Sequence, residues 1–171
     1  MKTARTIDER GQTLAEEIAN AATHGVGAAL SIAALIVLIT LAHVGRTPWS
    51  MLAAIVYGTS LVLVYLSSTL YHGIPHPRAK RVLRALDHAT IFLLIAGTYT
   101  PLALLAFEGG PDWLLLGTIW MLALAGVVLR LAAAEKFRRM RKPMYLMMGW
   151  LAVAWAGPMV DGLGWTGSGL I

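Results

Sequence analysis

The chain has no cysteine among its 171 residues, and only 13% of them are charged. The first absence excludes a disulfide framework and any cysteine-ligated metal site, and it carries no information on redox compartment. The second departs from ordinary soluble domains, in which about 25% of residues are charged. With a hydrophobic content of 57%, it excludes a disordered chain and argues against a soluble globule. Other signals are missing too. No segment shows the alternation over about ten residues that a membrane barrel strand needs. No short apolar core with a small-residue cleavage site stands near the N-terminus, so that segment does not read as a signal peptide. There is no internal repeat and no break in composition that would divide the chain into two domains.

What is present comes in blocks. Five apolar spans, dominated by Leu, Ile, Val and Ala, run about Ala21–Ala42, Trp49–Tyr71, Ala85–Phe107, Trp113–Ala134 and Met144–Val160. Each approaches the ~20 residues that a bilayer-crossing helix needs. Backbone polar groups in hydrocarbon must be satisfied within their own segment, so each span is expected to be a helix. The sequence therefore predicts an all-α integral membrane protein of about five transmembrane helices. Residues 1–19 form a polar N-terminal segment, and 20–171 form the transmembrane domain. The connections are short, and Pro75 and Pro77 stop the second helix.

The formal charge of +5 could signal nucleic acid, but the position of the charge argues otherwise. Lys2, Arg5 and Arg10 precede the first span. Arg46 is alone in the first loop. Arg78, Lys80, Arg81 and Arg84 follow the second span, and the third loop has no basic residue. Arg130, Lys136, Arg138, Arg139, Arg141 and Lys142 surround the fourth connection. Thirteen of the 14 basic residues thus fall on one side. These are orienting charges: they place the N-terminus in the cytoplasm and, with five spans, the C-terminus outside. Membrane lipids, not nucleic acid, are the expected surroundings. Trp49, Trp113 and Trp165 sit at span ends, as an interfacial belt would. Met144, Met147 and Met148 read as packing filler.

Ionisable groups within a span cost roughly 2.5–3.5 kcal/mol at the helix centre, so they are functional candidates by default. Here they gather near one membrane face. Glu17, Asn20 and His24 share one helix face at i, i+3, i+7, continued by Gly27 and Ser31. That stripe serves equally as a helix start and a packing face. Tyr65, Ser68 and His72 repeat the spacing at the end of the second span. His72 reads either as an interfacial histidine or as a zinc ligand with Ser68 beside it. Asp87 enters the third span at the same level, and either pairs with Arg84 at i, i+3 or faces the site. Adjacent Asp87 and His88 point about 100° apart and cannot both face it. Glu17, Asn20, His24, Ser68, His72 and Asp87 thus come to one depth. Such a set suggests metal-assisted hydrolysis, with a carboxylate orienting the attacking water. Two histidine-bearing helices do not by themselves complete three protein ligands and a water.

Several segments carry a family likeness. Glu16-Glu17-Ile18-Ala19-Asn20-Ala21-Ala22-Thr23-His24-Gly25 resembles the opening motif of the bacterial haemolysin III family, which belongs with the progestin and adiponectin receptors. Ser67-Ser68-Thr69-Leu70-Tyr71-His72 resembles its second-span motif. Leu86-Asp87-His88, followed by Leu94-Ile95-Ala96-Gly97-Thr98-Tyr99-Thr100-Pro101, resembles its third, and Met148-Gly149-Trp150 its fifth. The resemblance implies a seven-helix fold with a cytoplasmic N-terminus in the bacterial inner membrane. It implies that His72 is a zinc ligand, that Ser68 belongs to the same site, and that Asp87 holds the water. In the receptors this site is linked to hydrolysis of a lipid amide such as ceramide. Bacterial members carry a haemolysin name and are also associated with membrane-fluidity and energetics homeostasis.

The departure from the pattern is at the end. The family carries two more spans, the last with two histidines four residues apart, whereas no histidine follows His88 here. Only one of three expected zinc ligands is present, so the sequence reads as C-terminally truncated or as a five-span variant with a broken site, inactive as it stands. Alternatively, His24 or a second protomer supplies ligands. Two absent helices leave packing faces bare, so instability or a homo-oligomer is expected.

Because the chain has no cysteine, single replacements can report its orientation. Arg46→Cys is expected to react with a membrane-impermeant maleimide on intact cells, and Arg78→Cys only after the membrane is opened. The opposite pattern would invert the topology.

Overall fold

A computed structural model of the chain describes residues 12–44, 47–107, 110–132, 140–157 and 160. The expectations placed on the N-terminal residues 1–11, on the basic connection 133–139, on Trp165 and on the tail lie outside these residues. The described residues form five helices and no strand element: α1 Leu14–His43, α2 Trp49–Gly73, α3 Pro77–Leu105, α4 Trp113–Ala132 and α5 Arg141–Ala154. The first four are long and apolar enough to cross a membrane.

Two helices begin earlier than the hydropathy suggests, and both starts have a local cause. Thr13 caps α1 in a reciprocal box: its Oγ1 accepts the Glu16 N–H at 3.3 Å, and its own N–H donates to Glu16 Oε2 at 2.6 Å. The helix therefore opens seven residues before the apolar block does, with Glu16 and Glu17 in its first turn, where the helix dipole favours negative charge. At 1.5 Å per residue the 30 residues of α1 span about 45 Å, more than the ~30 Å hydrocarbon slab. The surplus carries Glu17 toward an interface. Similarly, α3 opens at Pro77, behind the N-cap His76. A first-turn N–H has no intrahelical partner in any case, so Pro77 starts this helix as naturally as Pro75 closes the turn before it. The early start winds Arg78, Lys80, Arg81 and Arg84 onto α3.

The fifth apolar block, expected over 144–160, gives α5, interrupted by a turn at Trp155 before helical residues resume at 156–157. Its regular part has 14 residues, about 21 Å. A side chain from α3 enters its hydrogen-bond ladder. The Tyr99 hydroxyl accepts the Ala152 N–H at 2.7 Å and lies 2.8 Å from the Met148 carbonyl, the group that N–H would otherwise reach. Insertions of this kind bend or end helices. Trp155 Nε1 then donates to Asp112 Oδ2 at 2.9 Å, while Asp112 Oδ1 accepts the Leu115 N–H at the start of α4.

The helices pack largely in chain order, α1 on α2, α2 on α3, α3 on α4, with α5 against α3 and α4. The core lies between the last three: Phe92, Ala96, Tyr99 and Ala103 of α3, Leu115, Ile119 and Ala123 of α4, and Met148 of α5. Lipid tails are as apolar as leucine, so close packing rather than dehydration holds such helices together, and small residues let backbones approach. Ser60 of α2 packs directly on Gly97 of α3. Gly126 of α4 seats the Phe92 ring, to which an added Cβ would come within 2.5 Å. The outward faces carry Ile18, Val26, Leu30, Ile36 and Leu41 on α1 and Leu114, Met121 and Val128 on α4, all exposed as a lipid-facing surface would be.

This packing makes a test. Gly126→Ala is expected to destabilise the protein by about 1–3 kcal/mol, because the buried Phe92 ring has no room to move. Gly117→Ala has nothing within 4 Å of the new Cβ and is expected to be neutral or to stabilise by up to about 1 kcal/mol. Thermal unfolding of both variants in detergent checks the contrast.

Candidate functional site

At the end of the bundle where α1 begins, α2 ends and α3 begins, the polar residues meet. Glu17 is buried on the inner side of α1. Its Oε2 lies 3.0 Å from Nδ1 of His72 on α2 and 3.0 Å from Nζ of Lys80 on α3. One carboxylate thus ties three helices together. The side chains of Glu17 and His72 are each 9% exposed and that of Lys80 is 23% exposed. A carboxylate this far from water is sustained by charge-assisted hydrogen bonds, and removing one partner leaves the others uncompensated. The Lys80 ammonium also lies 5.5 Å from the centroid of the buried Tyr71 ring, within the range of a cation–π contact.

His24 stacks on His72, with ring centroids 5.8 Å apart and planes 6° from parallel. Its other neighbour is Tyr65, at 6.0 Å. Tyr65 can lie there because Gly27 has no side chain: a Cβ on Gly27 would be 2.5 Å from the Tyr65 ring. The shared faces read from the sequence, Glu17 with His24 and Tyr65 with His72, are therefore brought against each other. Asn20 is half-buried, and its backbone carbonyl accepts from Thr23 Oγ1 at 3.1 Å. Beside this cluster opens a cavity of about 700 Å³, lined by Glu17, His72 and Lys80 together with Leu14, Ile18 and Ala21. Its wall is apolar except at the carboxylate, the imidazole, the ammonium and the Gln12 amide.

Ser68 lies one turn before His72 on α2 and is buried. The register of α2 against α3 is fixed one residue earlier, where the hydroxyls of Ser67 and Thr90 are 2.9 Å apart. The helices run antiparallel, so Asp87, one turn before Thr90, stands level with the turn of α2 that holds Tyr71 and His72. The ion pair of Asp87 with Arg84 does not form, and no hydrogen bond engages the Asp87 carboxylate among the described residues. His88 turns to other helices: Arg130 Nη2 of α4 is 3.3 Å from its Nδ1, and its carbonyl accepts from Tyr145 of α5 at 2.7 Å. The neighbours Asp87 and His88 thus separate as helical geometry requires.

The donor chemistry bears on a metal only in part. Glu17 engages His72 at Nδ1, which leaves the Nε2 lone pair on the opposite edge of the ring, and no hydrogen bond engages Nε2 among the described residues. The Ser68 hydroxyl and the Asp87 carboxylate are likewise unengaged there. These three fit part of a zinc site. Among the described residues, no three His, Asp or Glu side chains converge as a complete one.

Reading the sequence missed Lys80, which was counted only as an orienting charge. A proline at the first helical position was the available signal, since a helix opening at Pro77 carries Lys80 back to the level of the preceding turn. Tyr71, the ring beneath that ammonium, had no signal in the spacing.

The sequence has relatives. The family model described as Haemolysin-III related matches residues 12–169. The chain is 45% identical over 158 residues to Hemolysin-3 of Bacillus cereus, a match covering 92% of this chain and 71% of that protein. It is 42% identical over 159 residues to a Hemolysin-3 homolog of Bacillus subtilis (strain 168), covering 93% and 75% respectively. No solved structure matches the chain.

The Ser67–Thr90 contact sets the level of Asp87, so it is expected to show coupling. In a double-mutant cycle of Ser67→Ala and Thr90→Ala, the interaction energy should be about 0.6 kcal/mol and not above about 1.7 kcal/mol. Zero coupling would mean that other contacts hold the register.

Proposed function

The chain belongs to the haemolysin III family of integral membrane proteins, and from that footing we propose that His72, Ser68 and Asp87 form this chain's share of an intramembrane zinc site for hydrolysis of a lipid amide. The observation that carries the reading is His72: a buried imidazole, gripped at Nδ1 by a carboxylate, with Nε2 unengaged among the described residues. A ligating histidine characteristically gives its other ring nitrogen to such a partner. When bound, zinc supplies Lewis acidity toward a carbonyl and makes a water a better nucleophile at neutral pH.

The chain's own residues take the remaining roles. His72 holds the metal. Ser68 lies beside it on the same face of α2. Asp87 takes the proton of the attacking water and orients it. The apolar wall of the cavity suits an acyl chain, and its polar end suits the amide. In the family pattern two further histidines complete the site, and neither has a counterpart among these 171 residues. Turnover is therefore expected only where those donors are supplied. The charge distribution supports an inner-membrane orientation with a cytoplasmic N-terminus, which would place the site toward the cytoplasmic face.

A second reading is favoured by the name of the Bacillus cereus relative, Hemolysin-3, and by the absence of three converging donors among the described residues. It is a non-catalytic membrane protein acting on bilayer fluidity or energetics, or lysing cells. The two readings differ at His72. Under the first, detergent-purified protein supplied with the missing donors holds near one zinc per chain and releases fatty acid from a lipid amide. His72→Ala loses both, and Asp87→Asn keeps the zinc and loses turnover by about 100-fold or more. Under the second, His72→Ala leaves the lytic or fluidity effect unchanged.

A further inference from the structure

We propose that Glu17, clamped by Lys80, is the positioning residue of His72: it accepts the Nδ1 proton, so the neutral ring always offers its Nε2 lone pair to the site. The proposal rests on the reading of His72 as a ligand, but it concerns atoms of this chain alone.

Three observations support it independently of any ligand. The first is the contact itself, Glu17 Oε2 to His72 Nδ1 at 3.0 Å, between side chains that are each 9% exposed. Which nitrogen of a neutral imidazole carries the proton is set by the hydrogen bond the other side makes. A buried carboxylate only accepts, so the proton must be on Nδ1. This is the minority form of free imidazole, and the protein has to impose it. The second observation is Lys80. Its Nζ takes the same Oε2 at 3.0 Å and rests over the Tyr71 ring at 5.5 Å. The ammonium holds the carboxylate in place, and the Tyr71 ring lies beneath the ammonium. The third is packing. His24 lies parallel to the His72 ring at 5.8 Å and the Tyr71 ring is 4.8 Å away between centroids, so a flip that exchanges the two nitrogens must displace its neighbours.

The arrangement assigns distinct work to residues of three helices. The α1 carboxylate chooses the tautomer, the α3 ammonium holds the carboxylate, and the α2 imidazole presents one lone pair.

The test is ¹⁵N NMR of the histidine side chains in the full chain, metal-free in micelles, at about pH 9, above the ordinary histidine range. His72→Gln identifies the signal of His72 among the 5 histidines. The expected result is a protonated Nδ1 and an unprotonated Nε2 in the wild-type protein, the reverse in Glu17→Ala, and a mixture of the two in Lys80→Met. An Nε2-protonated or doubly protonated His72 in the wild-type protein overturns the proposal whether or not either variant folds. An unchanged ratio in a folded Glu17→Ala overturns it as well. Zinc titration of the same proteins, supplied with the two missing histidine donors, is the second readout. Loss of the partner is expected to weaken zinc binding about 10- to 100-fold, and equal binding by wild type and Glu17→Ala overturns the positioning role. A wild-type protein that shows the expected tautomer but binds no zinc with those donors supplied supports the role of Glu17 and refutes the zinc reading itself.

Discussion

In hydrocarbon there is no water to satisfy a polar group, and the rest of this structure follows from that constraint. The backbone meets it by forming helices. The hydroxyl side chains meet it by folding back on their own helix: Ser31 to Ala28, Thr40 to Ile36, Ser60 to Tyr57, Thr69 to Tyr65, Thr98 to Ile95 and Thr100 to Ala96, at 2.7–2.9 Å. Against that background, polar groups that reach between helices stand out. Tyr99 enters the ladder of α5, Ser67 meets Thr90, and Glu17 joins His72 to Lys80. The first two tie helices together. The third gathers an acid, an imidazole and an ammonium beside a cavity, which is more than packing requires.

The same constraint shapes the interfaces. Helices surrounded by lipid gain nothing from hiding leucine, so contact depends on how closely the backbones approach. Gly97 beneath Ser60, Gly126 beneath Phe92 and Gly27 beneath Tyr65 provide that approach. The last of these bears on the site. Without the space at Gly27, Tyr65 could not lie beside His24, and His24 would not be held against His72. Packing and site geometry are therefore one problem at this end of the bundle.

Much of this could be read from the order of residues. Long apolar blocks predicted five spanning helices; five helices form, four of them long enough to cross a membrane, with boundaries close to the expected ones at Trp49, Trp113 and His43. The i, i+3, i+7 stripes picked out Glu17, His24, Ser68 and His72, and the observed contacts bring Glu17, His24 and His72 together. The errors have physical causes. Hydropathy finds the apolar part of a helix and overlooks polar turns, so the capped start at Leu14 and the proline start at Pro77 came out too late. The break in α5 depends on a hydroxyl from a residue about fifty positions away, which no local pattern contains. Lys80 was hidden because a basic residue outside a span satisfies the charge rule wherever its side chain points.

What the sequence alone determined is the class of molecule and its ingredients: an all-helical membrane protein, with Glu17, His24, Ser68, His72 and Asp87 near one end. Composition and periodicity suffice for that, because the cost of polar groups in hydrocarbon acts on each segment separately. Only the tertiary structure decided which of those groups touch. Glu17 rather than Asp87 holds His72, Lys80 holds Glu17, and His88 turns away toward Arg130. Those choices depend on the rotation and register of one helix against the next, set by a few small residues and by one pair of hydroxyls, and they cannot be read from any helix taken singly.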